Sequence, residues 1–408
     1  METHISQALG RSEALQEAET ILRSCVHCGF CTATCPTYQL LGNELDGPRG
    51  RIYLIKEMLE NGQASDRTRT HLDRCLLCRS CETTCPSGVQ YARLLHTGRH
   101  LAHELAPLPL RERGLRRLLR ATLPYPGRMA PALGLARLIR PLLPRTLQRK
   151  IPPASPVTRP AQDNPSTQTR KVILFQGCVQ SVAAGSINAA AIRVLNRLGI
   201  QTLAAAGESC CGAVNHHLDD IDTARSLAQN NLDRWLTLID GGAEALVVTA
   251  SACALEIREY PLLFPAGSPY HAKALRMQEH CLEIGDYLAR QDLEKLRVRT
   301  DAPAMSFHAP CTLQHGLRAP GQTEALLRKA GFDVREPEEA HLCCGSAGTY
   351  AITQPRLSGQ LRENKLRRLE STGGEVIGTA NIGCLLHLQE KAKLRVRHWI
   401  EWLEKYCV

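Results

Sequence analysis

Aromatic side chains make up only 4% of the 408 residues, and nowhere do about 18 apolar residues follow one another. The first shortage removes the interleaved aromatics on which unpaired bases stack, so no nucleic-acid partner is expected. The second removes any membrane-spanning helix. No Gly-x-Gly-x-x-Gly fingerprint, P-loop or zinc-hydrolase signature occurs, so the chain carries no motif of its own for a dinucleotide, a nucleotide phosphate or a metal-activated water. Met1 to Gly10 lacks the basic start and apolar stretch of a secretory leader. A disulfide framework is therefore not expected, and reduced thiols in the cytoplasm are.

Against these shortages stand 18 cysteines. Eight of them form two copies of one run. The first reads Cys25-Val-His-Cys28-Gly-Phe-Cys31-Thr-Ala-Thr-Cys35-Pro36, and the second Cys75-Leu-Leu-Cys78-Arg-Ser-Cys81-Glu-Thr-Thr-Cys85-Pro86. Both fit Cys-x2-Cys-x2-Cys-x3-Cys-Pro, the two-cluster ferredoxin spacing, in which three thiolates of a run wrap one cubane and the fourth crosses to the other. The spacing thus assigns Cys25, Cys28, Cys31 and Cys85 to one [4Fe-4S] cluster, and Cys75, Cys78, Cys81 and Cys35 to a second. Zinc suits the runs less well, because four ligands per ion leave the third and fourth cysteines at these offsets unexplained. His27, inside the first run, reads as a hydrogen-bond donor to sulfur rather than a ligand.

Local patterns place the runs on a helical scaffold. Apolar residues from Ser12 to Ser24 recur at helical spacing, with Ser12 as the capping residue. A helix from about Arg51 to Glu60 should end at Asn61-Gly62, Ser65 should cap another that leads to Cys75, and a further helix should cover Val89 to Leu105. Beyond it the residues from Leu101 to Lys150 hold eleven Arg and Lys against Glu104 and Glu112, a local charge of 11 − 2 = +9 out of a chain total of +10. Prolines divide this stretch into short amphipathic helices, suited to an anionic membrane surface or to a packed, partner-facing subdomain. Pro152 to Thr169, rich in Pro, Ser, Thr and Gln, reads as a linker.

The remainder is an internal repeat. Cys178, Cys210-Cys211-Gly212 and Cys253 recur as Cys311, Cys343-Cys344-Gly345 and Cys384, at offsets of 311 − 178 = 133, 343 − 210 = 133 and 384 − 253 = 131. Each copy alternates apolar strands, such as Lys171 to Phe175 and Ala304 to His308, with helical stripes, which predicts βαβ units and parallel sheets. Four thiolates per copy suit a further iron-sulfur site, tetrahedral zinc, or a metal-free thiol or quinone reaction site with adjacent cysteines as the redox pair. His216 and His217 follow the first Cys-Cys-Gly and His308 and His341 flank the second set. They are placed to move protons or simply to hold loops. Cys281 and Cys407 have no counterparts in the repeat.

The first run and its helical spacers resemble the α-helical ferredoxin domain of fumarate and succinate oxidoreductase iron-sulfur subunits. The repeat resembles the cysteine-rich domains of heterodisulfide reductase subunits, of anaerobic glycerol-3-phosphate dehydrogenase iron-sulfur subunits and of glycolate oxidase iron-sulfur subunits. The stretch from Cys25 through Thr37-Tyr38-Gln39 to Leu45-Asp46-Gly47-Pro48-Arg49-Gly50-Arg51-Ile52 is most similar to the last family. One departure is visible: where the fullest pattern ends each repeat in Cys-x2-Cys, Ala250 and Asn381 replace the earlier cysteine, which speaks against a five-thiolate noncubane cluster. The fold expected is α+β and multidomain: an α-helical ferredoxin domain (1–105), a basic helical segment (106–151), a linker (152–169) and two α/β Cys-Cys-Gly domains (170–300 and 301–408). The resemblance implies an electron-transfer subunit of a glycolate dehydrogenase complex. It would pass electrons from a flavin-containing partner to a quinone or other membrane acceptor, on the inner face of the cytoplasmic membrane. The alternatives are the glycerol-3-phosphate enzyme's subunit and a heterodisulfide-reductase-like catalytic subunit.

Overall fold

The structure, a computed structural model, describes residues 2–10, 12–142, 144, 148, 151–152 and 169–408. Most of the expected linker, 153–168, lies outside the described residues. Two compact units divide the chain: Met1–Arg116 with His341–Lys365, and Arg117–Ala340 with Leu366–Val408.

The first unit is built on helices whose ends the local chemistry explains. Ser12 Oγ accepts a hydrogen bond from the Leu15 amide at the start of Glu13–Ser24, and Ser65 Oγ accepts one from Thr68 at the start of Asp66–Asp73. Each bond satisfies an amide that has no partner within the helix. Pro48–Asn61 starts on a proline and stops at Gly62, whose φ of 66° is the left-handed closure glycine adopts cheaply. Leu22, Ile55, Leu72, Leu94 and Leu95 form the fully buried centre. Gly98, in helix Tyr91–Leu105, lets that helix approach Ile55, since a Cβ there would lie 2.6 Å from the isoleucine side chain. Arg99 then donates to the carbonyls of Leu72 at 2.9 Å and Cys75 at 2.6 Å, tying the end of Asp66–Asp73 and the start of the second cysteine run to this helix.

The second unit holds two four-stranded parallel sheets. One comprises β1 (Arg170–Leu174), β2 (Ile200–Leu203), β3 (Leu246–Val248) and β4 (Cys281–Glu283) in the order β2-β1-β3-β4. The other comprises β5 (Met305–His308), β6 (Val334–Arg335), β7 (Val376–Thr379) and β8 (Arg395–His398) in the order β6-β5-β7-β8. The duplication seen in the cysteines thus extends to topology. In both sheets the order reverses between the first and third strands, and the crevice beyond the carboxyl ends of such a strand pair is where α/β folds bind ligands. Cys178 follows β1 and Cys253 follows β3, while Cys311 follows β5 and Cys384 follows β7. One apolar core draws on both sheets, with Val172, Val247, Met305, Phe307 and Trp399 fully or almost fully buried. Basic helices occupy Leu110–Thr122 and Pro126–Ile139, the second continuing through Pro131 rather than breaking there.

His398 joins the sheets. Its Nε2 donates to the Thr249 carbonyl at 2.8 Å, and its Nδ1 accepts from the Ile400 amide at 3.2 Å, capping helix Trp399–Tyr406. Both ring nitrogens are used in the neutral form, and burial pushes the pKa down from 6.5 to about 4. An unfolded chain takes up a proton below 6.5 that the native ring refuses, so this residue withdraws stability as pH falls from 6.5 towards 4. The loss amounts to about 2 kcal/mol between pH 7 and pH 5. His398→Asn, which keeps a capping side chain, is expected to flatten that dependence in anaerobic denaturant titrations at the two pH values.

Candidate metal centres

Each cysteine run is a tight loop between helices. Cys25 closes helix Glu13–Ser24, Cys31 rides on the short helix Phe30–Ala33, and Cys35 precedes the helix opened by Pro36. In the second run Cys81 rides on Ser80–Thr84 and Cys85 closes it. The loops share one shape. His27 and Gly29 take φ values of 57° and 84°, and their counterparts Leu77 and Arg79 take 53° and 61°. Left-handed backbone at three non-glycine residues costs roughly 1–2 kcal/mol apiece, and such strain persists where a site requires the curvature.

The curvature opens two cavities. The first is lined by Cys25, Cys28, Cys31 and Cys85, together with Cys81. The second is lined by Cys35, Cys75, Cys78 and Cys81. The fourth cysteine of each run therefore faces the cavity of the other. Three cysteines of one run with the fourth of the other is the ligand pattern of the two-cluster ferredoxin spacing.

The electrostatics fit a cationic metal core. The Cys31 thiol is pushed up to about 11 by burial and by the neighbouring charges of Cys25, Cys85 and Cys28. Cys81 is driven well above 9 by burial and by Cys78, Cys75 and Cys35. Four thiolates facing one cavity repel one another unless metal charge lies between them, and soft thiolates are the ligands iron-sulfur clusters select. Around the second cavity, the Tyr91 hydroxyl and the Leu77 amide donate to Cys75 Sγ at 3.8 and 3.5 Å. Arg51, fully buried, lines the same cavity. Burial alone would lower its pKa, but the charges of Cys75, Tyr91, Cys35 and Asp46 raise it, so it stays a cation. His27 lines the first cavity, its ring stacked on Tyr53 at 4.5 Å between centroids.

Residues 341–365 of the second repeat belong to this same unit. Within it the Tyr350 hydroxyl donates to the Arg74 carbonyl at 3.1 Å, beside the second run. Burial raises the Tyr350 pKa, and the charges of Cys75 and Cys343 both add to the rise. Cys343 Sγ accepts from the Gly345 amide at 3.4 Å. Gly345, at φ 89°, is packed so closely that a Cβ would lie 2.7 Å from the Ser358 carbonyl. Cys311 and Cys384 are in the second unit.

The first repeat's cysteines converge within the second unit. Cys178 Sγ lies 3.0 Å from Cys210 Sγ. Hydrogen bonds from the Cys210 and Cys253 thiols hold the Cys211 thiol well below its usual range, while both donors are pushed up. A cavity of about 270 Å³ opens beside Cys178 and Cys210. Cys281, in β4, is pushed up to about 12 by burial, and Cys407 is likewise raised, so both are inert buried thiols.

Comparison with known proteins agrees with this layout. A family profile described as "4Fe-4S dicluster domain" matches residues 21–89. One described as "Cysteine-rich domain" matches twice, over 172–258 and 305–389. The glycolate oxidase iron-sulfur subunit of Escherichia coli (strain K12) is 45% identical over 405 residues, spanning 99% of this chain and 99% of the relative. The chain belongs to the glycolate oxidase iron-sulfur subunit family. A probable glycolate oxidase iron-sulfur subunit of Bacillus subtilis (strain 168) is 28% identical over 92% of this chain and 90% of the relative. Lactate utilization protein A of Bacillus licheniformis is 26% identical over 53% of this chain and 90% of the relative. As a member of the glycolate oxidase iron-sulfur subunit family, the protein is an iron-sulfur, electron-transferring component of a redox enzyme.

Arg51, Tyr350 and Glu256 are functional candidates that pattern reading missed. Arg51 stands in the conspicuous Asp46-to-Ile52 stretch, but nothing local says it is buried beside thiols. Glu256 is an ordinary acid in sequence and becomes distinctive only by lying against His216.

Proposed function

We propose that this chain carries electrons from a flavin-containing partner, which oxidises glycolate to glyoxylate, to a quinone or another acceptor at the membrane surface. In this reading Cys25, Cys28, Cys31 and Cys85 hold one [4Fe-4S] cluster, and Cys75, Cys78, Cys81 and Cys35 the other. Bound clusters supply one-electron steps, complementing a flavin that receives two electrons as a hydride. The observation that carries the reading is the pair of cavities, each lined by three cysteines of one run and the crossing fourth of the other. Arg51 keeps a fixed positive charge at the second cavity, and Arg99 and Tyr91 hold Cys75 in place.

Tyr350 and Cys343, grouped with the second cavity, favour exit of electrons through the second Cys-Cys-Gly loop. Peripheral attachment is supported by the basic helices. Among the described residues no helix is long and apolar enough to cross a membrane, yet Leu135, Leu138, Ile139 and Leu142 are exposed at helical spacing among arginines.

Iron, acid-labile sulfide and zinc in anaerobically purified protein test the metal assignment. Two cubanes require 2 × 4 = 8 irons. About eight is expected if the wire is confined to the two runs, and roughly 12 to 16 if the Cys-Cys-Gly groups extend it. Four or fewer, with zinc making up the difference, would overturn it. The intact complex, assayed with glycolate, lactate and glycerol 3-phosphate and an artificial dye, separates the 2-hydroxy-acid readings from the glycerol-phosphate one.

A further inference from the structure

The first Cys-Cys-Gly motif is followed by a set of groups that the electron path does not use. Helix Ala213–His217 carries His216 and His217, and helix Ser251–Arg258 carries both Cys253 and Glu256. His216 Nδ1 lies 2.9 Å from Glu256 Oε1, and His217 Nε2 lies 3.9 Å from Oε2 of the same carboxylate. One ligand atom from each of the three residues falls within 4.8 Å of the others. Glu256 is 5% exposed, while the His217 side chain is 41% exposed. The set thus has a buried carboxylate floor and an open side.

We propose that His216, His217 and Glu256 form a divalent transition-metal site, suited to zinc. Two imidazoles and a carboxylate are a common donor set for such ions. They bind at about 2.0–2.2 Å and leave a fourth position for water or another ligand. Ligand atoms spread over 4.8 Å need movements of about 1 Å or less to close on one ion.

The surroundings favour a cation. The Glu256 carboxylate is buried and stands beside both His216 and His217, so its negative charge lies where the two helices meet. An ion held by His216 and His217 on one segment and Glu256 on the other would neutralise part of that charge. It would also clamp the Cys211 loop to the Cys253 helix. Such a site needs unprotonated imidazole nitrogens and an ionised carboxylate, so affinity should fall as pH drops. The site belongs to the first repeat alone. At the offsets of 133 and 131 the second repeat has Thr349, Tyr350 and His387, with no carboxylate.

The alternative is a simple His216–Glu256 ion pair, and His217→Ala separates the two because it leaves that pair intact. Anaerobic holoprotein would be titrated with Co²⁺ and followed by its visible d–d absorption and by metal analysis of the desalted protein. One cobalt per chain is expected, with bands of nitrogen and oxygen ligation and no thiolate-to-cobalt charge transfer. His217→Ala should weaken binding at least tenfold with iron content and melting temperature unchanged, and Glu256→Gln should abolish it. Cobalt that binds equally well to His217→Ala, or that shows only thiolate charge transfer, would overturn the proposal. An unchanged iron count in every variant keeps the outcome independent of the two-cluster assignment.

Discussion

Cys75→Ala should remove at least one and up to four irons per chain and, on the proposed electron path, slow dye-linked glycolate oxidation by the complex about a hundredfold or more. Cys75 is buried, lines the second cavity, and receives hydrogen bonds from Leu77 and Tyr91. No substitute thiol lies within its loop: Cys78 and Cys81 already face the same cavity, and Cys35 is the crossing fourth. Alanine therefore leaves three thiolates, and the cluster is either lost or reduced by an iron. Paramagnetic resonance of the dithionite-reduced protein gives the sharper test. Two reduced cubanes a short distance apart broaden each other's signals, and the variant should show a single isolated centre. An unaltered two-centre spectrum would remove Cys75 from the ligand set.

Arg51→Met is the second large effect, and it separates structure from electrostatics. The guanidinium is fully buried, donates to the His71 carbonyl at 2.8 Å and to Thr37 Oγ1 at 3.2 Å, and stands 3.8 Å from Asp46. Asp46, itself 1% exposed, is also 2.9 Å from His71 Nδ1 and 3.1 Å from Arg74. Removing one member of a buried ionic network leaves its partners desolvated and uncompensated, a cost of roughly 3–5 kcal/mol. The methionine variant should therefore unfold at markedly lower denaturant. A fixed positive charge beside a cluster favours its reduced, more negative form. Losing that charge should lower the second centre's potential by roughly 60 mV for each 1.4 kcal/mol of lost charge stabilisation. Arg51→Lys keeps the charge but not the planar fork. It should restore most of the potential and little of the stability. Wild-type potential in Arg51→Met, measured by redox titration, would mean the charge is compensated elsewhere.

Much of this protein is written locally. The cysteine spacing, the prolines that follow each run, the serines at helix starts and Gly62 at a helix end act within a few residues. They could be read before any fold was known, and the 133-residue duplication announced two similar α/β repeats. Three short strands, β2, β4 and β8, escaped that reading. Their sequences, Ile200–Leu203, Cys281–Glu283 and Arg395–His398, mix polar side chains into short stretches with no apolar run, and their strand character comes from pairing with β1, β3 and β7.

Long-range placement decided the rest. Glu256 reaches His216 across 40 residues and Tyr350 reaches Arg74 across 276, separations at which no spacing rule operates. The Cys-Cys-Gly motifs look equivalent in sequence. Nevertheless, only the second sends its 341–365 segment into the unit that carries the two cysteine runs, where the Tyr350 hydroxyl donates to the Arg74 carbonyl. At the matching position in the first repeat, His217 approaches a buried carboxylate instead. The sequence by itself determined where the soft thiol donors stand and how each run must curl, since both follow from residue identity and bond geometry within a loop. Tertiary structure alone decided which charges stand beside which thiols, because electrostatic effects depend on distance and burial that only the folded chain sets.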